Sequence, residues 1–142
     1  MLSYQHGYHA GNRADVLKHA VLHALLGHIA NAGKPVLYVE THSGRGRYDL
    51  TGEQARKGGE AETGILALHR GKPPRALKPW VSHVEACGMK NYPGSPELAL
   101  QLLPPTARMV FFEKHPAEYA ALEKAVGSDP RVQVKHSDGY SG

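Results

Sequence analysis

A chain of 142 residues with 41% hydrophobic content makes one domain, or a piece of a larger one, with enough apolar side chain for a packed core. No apolar run approaches the roughly 20 residues that cross a bilayer, and MLSYQHGYHAGNRAD has no apolar segment of the kind that marks a secretory signal. The single cysteine, Cys87, excludes an internal disulfide and a cysteine-based metal cluster, which fits a reducing cytoplasm. The net charge of +4 and pI near 9.2 are compatible with a nucleic-acid partner without requiring one.

Residues 1–11 carry Tyr4, His6, Tyr8 and His9 around two glycines, with no period, and read as an extended arm. Asn12 reads as a helix N-cap, with Asp15 reaching back as in a capping box. The helix then runs to Ala32 with Leu17, Val21, Ala24, Leu25 and Ile29 as its expected buried stripe, until Gly33 and Pro35 end it. His19 and His23 are four apart, but with no HExxH and no third ligand they do not make a metal site.

Val36-Leu37-Tyr38-Val39 is a buried-strand pattern closed by Glu40 and followed by Gly44-Arg45-Gly46, a strand turning into a loop that can approach a nucleotide. Arg47, Tyr48 and Asp49 are expected to open a short helix. The polar stretch from Glu53 to Glu62 leads to two short helices, one with Ile65, Leu66 and Leu68, the next with Leu77, Trp80, Val81 and Val84 on one face. After the loop Asn91 to Ser95, Ser95 can cap a helix with Pro96 at its first position, carrying Leu98, Ala99, Leu102 and Leu103. Ala107 to Phe112 is a second buried strand closed by Glu113. His115-Pro116 opens a helix with Tyr119, Leu122 and Val126 inward. Arg131 to Val134 is a third strand, leading to His136-Ser137-Asp138-Gly139-Tyr140.

Strands alternating with helices predict a parallel α/β sheet with ligands at the carboxyl ends of the strands. Three strands finish there in Glu40 with Gly44 and Gly46, in Glu113, and in Asp138 with Gly139. A strand end in a polar loop is ordinary; three on one edge describe a site. A carboxylate after the second strand suits a ribose diol, an aspartate after the third suits an adenine amine, and the glycine loop suits the rest of the ligand. S-adenosylmethionine is favoured over a dinucleotide because the third glycine of the pyrophosphate fingerprint is missing, and no P-loop is present.

The same residues resemble a known family. Met1-Leu2-Ser3-Tyr4, His6, His9-Ala10-Gly11-Asn12 and Ala14 to His19 look like the opening of the RlmJ family. Thr41, His42, Gly44, Gly46, Arg47 and Tyr48, then Tyr92-Pro93-Gly94-Ser95-Pro96, Glu113 with His115-Pro116, and Asp138-Gly139 continue the likeness. That family methylates N6 of an adenine in 23S ribosomal RNA with S-adenosylmethionine. The resemblance implies cofactor contacts at His19, His42, Ser95, Glu113, Asp138 and Gly139, beside the glycine loop of Gly44 and Gly46. It implies RNA contact at Tyr4, with His6 and Lys18 in the same motif. Read from the residues alone, Ser95 is a helix cap. Glu40 stands where the family more often has aspartate.

Amino methylation of a base needs an Asp/Asn-Pro-Pro-aromatic motif that accepts from the target amine and stacks on the flipped base. The two Pro-Pro pairs, Pro73-Pro74 and Pro104-Pro105, lack both the acid and the ring. In the family it resembles, that motif follows shortly after the aspartate-glycine segment, so the resemblance implies a catalytic acid after Gly142. The fold expected is an incomplete Rossmann-like methyltransferase sheet of three parallel strands. Residues 1–50 form an arm, helix, first strand and glycine loop, 51–91 an inserted helical subdomain, and 92–142 the continuation, with the missing C-terminal half as partner. The chain alone is expected to be inactive and to expose one edge of its first strand. A non-catalytic adenosine- or RNA-binding module is the alternative.

Overall fold

A computed structural model describes residues 4–141. Met1, Leu2 and Ser3 of the family-like opening, and Gly142, lie outside the described residues. The chain packs as two compact units, the first built from residues 25–47 and 94–141, the second from Tyr4–Ala24 and Tyr48–Pro93. Helix α1 (Arg13–Asn31) contributes to both.

The first unit holds β1 (Leu37–Glu40), α5 (Ser95–Leu102), β4 (Arg108–Phe112), α6 (Pro116–Val126) and β5 (Val132–Lys135). The three strands form a parallel sheet in the order β1-β4-β5, with Glu40 beside Phe111 and Phe112 beside Lys135. Parallel pairing puts all three carboxyl ends on one edge, as expected from their sequence. Leu98, Ala99, Leu103, Met109, Phe111, Leu122 and Val126 are buried in this unit. Prolines near the starts of α5 and α6 cost no backbone donor there, since the first N–H groups of a helix have no internal partner.

Arg131 closes the other end of α5. Its Nη2 donates to Leu100 O at 2.8 Å and its Nη1 to Leu103 O at 2.8 Å and Pro104 O at 3.2 Å, while Asp129 grips Nε and Nη2. The carbonyls of Leu100 and Leu103 stand at the end of the helix, where the last C=O groups lack intrahelical donors. Arg131→Met is expected to lower stability by about 3 kcal/mol, and Arg131→Lys to recover less than half, because an ammonium cannot form the planar fork. Equilibrium urea unfolding measures both.

The second unit holds the first part of α1, α2 (Glu53–Gly58), α3 (Ile65–Arg70), α4 (Lys78–Cys87), and the two-residue strands β2 (Arg47–Tyr48, of which Tyr48 belongs here) and β3 (Tyr92–Pro93). Its core gathers Tyr48, Leu50, Ile65, Trp80, Val81, Val84 and Tyr92. The apolar face predicted for α4 is the buried one, with Leu77 packed partly against the core.

Four local expectations are corrected. The arm is not extended: His6–Tyr8 is a 3-10 turn, stitched by His9 N–H to His6 O at 2.8 Å. Arg47–Tyr48 is a strand rather than a helix start. The polar stretch before Ile65 contains a helix of its own, α2, so residues 51–91 hold three α-helices rather than two. The predicted stripe of α1 faces outward: Leu17, Val21 and Leu25 are 68, 59 and 51% exposed, whereas Asp15, His19 and Leu26 are buried. Hydrophobic period marks the most apolar face, but here the face bearing Asp15 and His19 has partners that make its burial affordable.

The cap of α1 is half as expected. Asn12 Oδ1 accepts from Asp15 N–H at 2.8 Å, as an N-cap should. The Asp15 carboxylate does not return to Asn12; its Oδ2 accepts from Gly11 N–H at 2.9 Å.

Candidate functional site

In the first unit, the residues predicted for the cofactor gather at the carboxyl edge of the sheet. The chain leaving β1 is held over β4 by Ser43 N–H donating to Phe112 O at 3.0 Å. Gly44 and Gly46 then take φ values of +66° and +80°, which favour glycine. A Cβ on Gly46 would also stand 3.1 Å from Leu122 Cδ1.

Glu113 is the centre of this edge. Its Oε2 accepts from Gly44 N–H at 2.9 Å and its Oε1 from His115 N–H at 2.7 Å. The carboxylate thus fixes the glycine loop and the turn into α6 together. Each oxygen keeps a further lone pair, so a ribose diol could still be received. Glu40 does similar work one strand away. Tyr38 Oη donates to its Oε1 at 2.7 Å and Ser95 Oγ to its Oε2 at 2.9 Å. Ser95 is therefore not the helix cap; Gly94 occupies that position, and the Ser95 hydroxyl belongs to the strand-end group. Burial, then the Glu40 charge, raises the pKa of Tyr38, so its phenol stays a donor.

The third strand end closes against the first. A Cβ on Gly139 would lie 2.3 Å from Thr41 O, so the backbones meet where only hydrogen fits. His42 packs edge-on to Tyr140 with ring centroids 5.0 Å apart, and its Nδ1 pairs with Thr41 Oγ1 at 2.9 Å. Asp138 accepts from Tyr140 N–H at 3.0 Å and pairs with Lys114 Nζ at 3.1 Å. These two partners hold its carboxyl below the usual range.

Arg45 and Arg47 have carboxylate partners. Arg45 forks onto Glu118 and Arg47 reaches Glu97 at 3.0 Å, both glutamates being buried.

A second polar group lies in the second unit and contains Tyr4, His6, Lys18 and His19. Tyr4 Oη contacts His6 Nδ1 at 2.6 Å, and His6 Nε2 contacts Asp15 Oδ2 at 2.6 Å. Lys18 Nζ reaches Asp15 Oδ1 at 3.1 Å. Asp15 is 1% exposed. Burial alone would raise its pKa, but the His6 hydrogen bond and the neighbouring His19, His6 and Lys18 charges hold it far below the usual range. His19, buried beside it, has its Nδ1 3.3 Å from Tyr92 Oη, and burial lowers its pKa to about 4. His19 thus stands with Asp15 and Tyr92 in this unit; the other residues predicted for the cofactor belong to the first unit.

Sequence reading does not reveal the hydrogen-bond and ring partners of Glu40, Asp15 and Tyr140. Glu40 had a signal, a carboxylate closing an apolar run. Asp15 looked like a cap, and Tyr140 had none. His23 packs edge-on against His83 at 5.1 Å. Among the described residues no group of three or more His, Cys, Asp or Glu is placed to hold a metal, and no helix is long and apolar enough to cross a membrane.

A parallel sheet whose glycine loop and carboxylates collect at one carboxyl edge defines a Rossmann-like α/β domain. The comparisons with known proteins narrow that class. The family model described as "Ribosomal RNA large subunit methyltransferase D, RlmJ" matches residues 33–142. Ribosomal RNA large subunit methyltransferase J of Escherichia coli K12 is 38% identical over 145 residues, covering 99% of this chain and 52% of that protein. Its namesake from Haemophilus influenzae Rd is 37% identical over 146 residues, again covering 99% and 52%. A crystal structure of a Legionella pneumophila Philadelphia 1 protein, described under the family DUF519, superposes with a TM-score of 0.79 at 37% identity, covering 93% of this chain and 50% of that one. The chain belongs to the RlmJ methyltransferase family. It spans about half the length of these relatives.

Proposed function

We propose that this chain supplies the S-adenosylmethionine-binding half of an enzyme that methylates N6 of an adenine in 23S ribosomal RNA. The observation that carries the reading is Glu113, whose two oxygens tie the glycine loop to the start of α6 at the edge where the other strand ends collect. In the reading, Glu113 receives the ribose, Asp138 the adenine amine, and Gly44 and Gly46 allow close approach of the remaining chain. His42, Gly139 and Ser95 complete the wall. The donor set fits the cofactor: acceptors for hydroxyls and an amine, and backbone too tight for side chains. His19 is assigned to the cofactor by the family pattern, as Tyr4, His6 and Lys18 are to RNA.

The cofactor, when bound, supplies an electrophilic methyl on a sulfonium. The residues of this chain bind and orient it; the acid that accepts from the target amine belongs to an Asp/Asn-Pro-Pro-aromatic motif, which the sequence given does not contain. The remaining half of the relatives is the proposed source of that motif and the proposed partner of this one. These 142 residues by themselves are expected to be inactive.

Isothermal calorimetry with S-adenosylhomocysteine tests the reading. Glu113→Ala is expected to weaken binding at least 30-fold, since it loses ribose acceptors and frees the glycine loop; Asp138→Ala is expected to cost about tenfold. Gly139→Ala should also weaken binding about tenfold by forcing Thr41 away. If both carboxylate variants bind as the parent does, the assignment of the edge is wrong.

A further inference from the structure

The Tyr4 group has an internal logic that its assignment to RNA leaves unexplained. Tyr4 is 68% exposed, yet its ring and its hydroxyl are both held. The ring lies parallel to that of His9, centroids 5.4 Å apart, and His9 Nδ1 is itself held by Glu60 at 2.9 Å. The hydroxyl meets His6 Nδ1, and His6 Nε2 meets the buried carboxylate of Asp15. That carboxylate also receives Gly11 N–H and Lys18 Nζ.

A carboxylate can only accept, so His6 must present its N–H at Nε2. In the neutral imidazole Nδ1 is then a lone pair, and the Tyr4 hydroxyl must donate to it. The phenol has one proton. Spent inward on His6, it leaves the oxygen with lone pairs alone toward solvent.

Resting on the proposed RNA contact of Tyr4, we propose that Asp15 is the positioning residue of this group: by fixing the tautomer of His6 it turns Tyr4 Oη into an obligate hydrogen-bond acceptor for a donor on the nucleic acid, an exocyclic amine or a ribose 2′-hydroxyl. Lys18 is drawn to the second oxygen of the same carboxylate. A phosphate oxygen or a base carbonyl finds no donor at Tyr4 Oη. The ring, held parallel to His9 yet 68% exposed, can stack on a base through its exposed side while its hydroxyl selects.

The test joins a spectrum to a mutant cycle. Long-range nitrogen–proton NMR of the unmodified 142-residue chain at neutral pH should show His6 protonated at Nε2. A ring carrying a proton on Nδ1, whether neutral or doubly protonated, overturns the proposal without any variant. Fluorescence anisotropy with an adenine-containing RNA hairpin should show Tyr4→Phe and Asp15→Asn each weakening binding roughly tenfold. The double variant should be no weaker than either single one, because both remove the same acceptor. Additive losses, or unchanged affinity for Tyr4→Phe, would refute the inference. If the parent chain and Tyr4→Ala bind the hairpin equally, or neither binds, the RNA contact of Tyr4 is what fails, while the His6 spectrum still decides what Asp15 does.

Discussion

Lowering the pH from 7 to 4 is expected to cost the second unit roughly 3 kcal/mol through His19 alone. Its imidazole is buried beside Asp15 and Tyr92, and burial brings its pKa down to about 4 from an ordinary 6.5. Between these values the unfolded chain takes up a proton that the folded one refuses. The stability is therefore fully present above about pH 6.5, declines as the pH falls, and stops declining near pH 4, where the folded imidazole also protonates. A difference of about 2.5 pKa units corresponds to the figure given. Asp15 adds a second loss at lower pH, because its depressed carboxyl stabilises the fold only while the unfolded chain is also ionised. The sole tryptophan, Trp80, lies 1% exposed in the same unit, edge-on to Tyr92, and reports on it. Urea titrations followed by its fluorescence should show the midpoint falling steeply below pH 6.5. In His19→Leu that limb should vanish. A midpoint flat from pH 7 to 4.5 in the parent would show that the imidazole protonates without cost in the fold.

The second large effect is self-association. In the sheet β1 pairs with β4 on one side, and no strand of the described residues pairs with its other side. Leu37 and Val39, two apart on one face of β1, are 69 and 49% exposed, and α1 turns Leu17, Val21 and Leu25 outward. An open strand edge flanked by exposed apolar side chains is a template for another strand. The chain should therefore sediment as a concentration-dependent mixture at tens of micromolar. Placing lysine at both Leu37 and Val39 should weaken association at least tenfold while changing the unfolding free energy of the monomer by no more than about 0.5 kcal/mol, as exposed positions allow. A parent that stays monomeric at 100 µM would show that the edge is protected. The relatives are about twice as long, and their additional half is the proposed natural cover for these surfaces.

The strands and the edge where they end could be read directly from residues, because an apolar run closed by a carboxylate is a local pattern. The strand-end placement of Glu113 and Asp138 was legible that way. Ser95 was not, since a serine before proline at a helix start ordinarily caps; its hydroxyl goes instead to Glu40, 55 positions away. The buried face of α1 was hidden for the same reason. Asp15 and His19 are inside because His6, Gly11 and Tyr92 supply hydrogen bonds, and such partners cannot be read from a helical period. The turn at His6–Tyr8 likewise depends on contacts beyond the arm: a Cβ on Gly58 would lie 1.7 Å from Tyr8 O, so α2 comes directly against its backbone.

The order in which the two units are written into the chain has a consequence for synthesis. Residues 48–93 complete the second unit before any of the sheet partners of β1 has been made. Roughly 70 residues separate β1 from β4, and at about 5–20 residues per second the ribosome takes on the order of 3–14 seconds to bridge them. Throughout that interval Leu37, Tyr38 and Val39 emerge with neither edge paired, while the neighbouring unit can already be folded. Slower translation of the 51–91 segment would lengthen the exposure of a nascent strand and thereby the window in which chaperones must hold it.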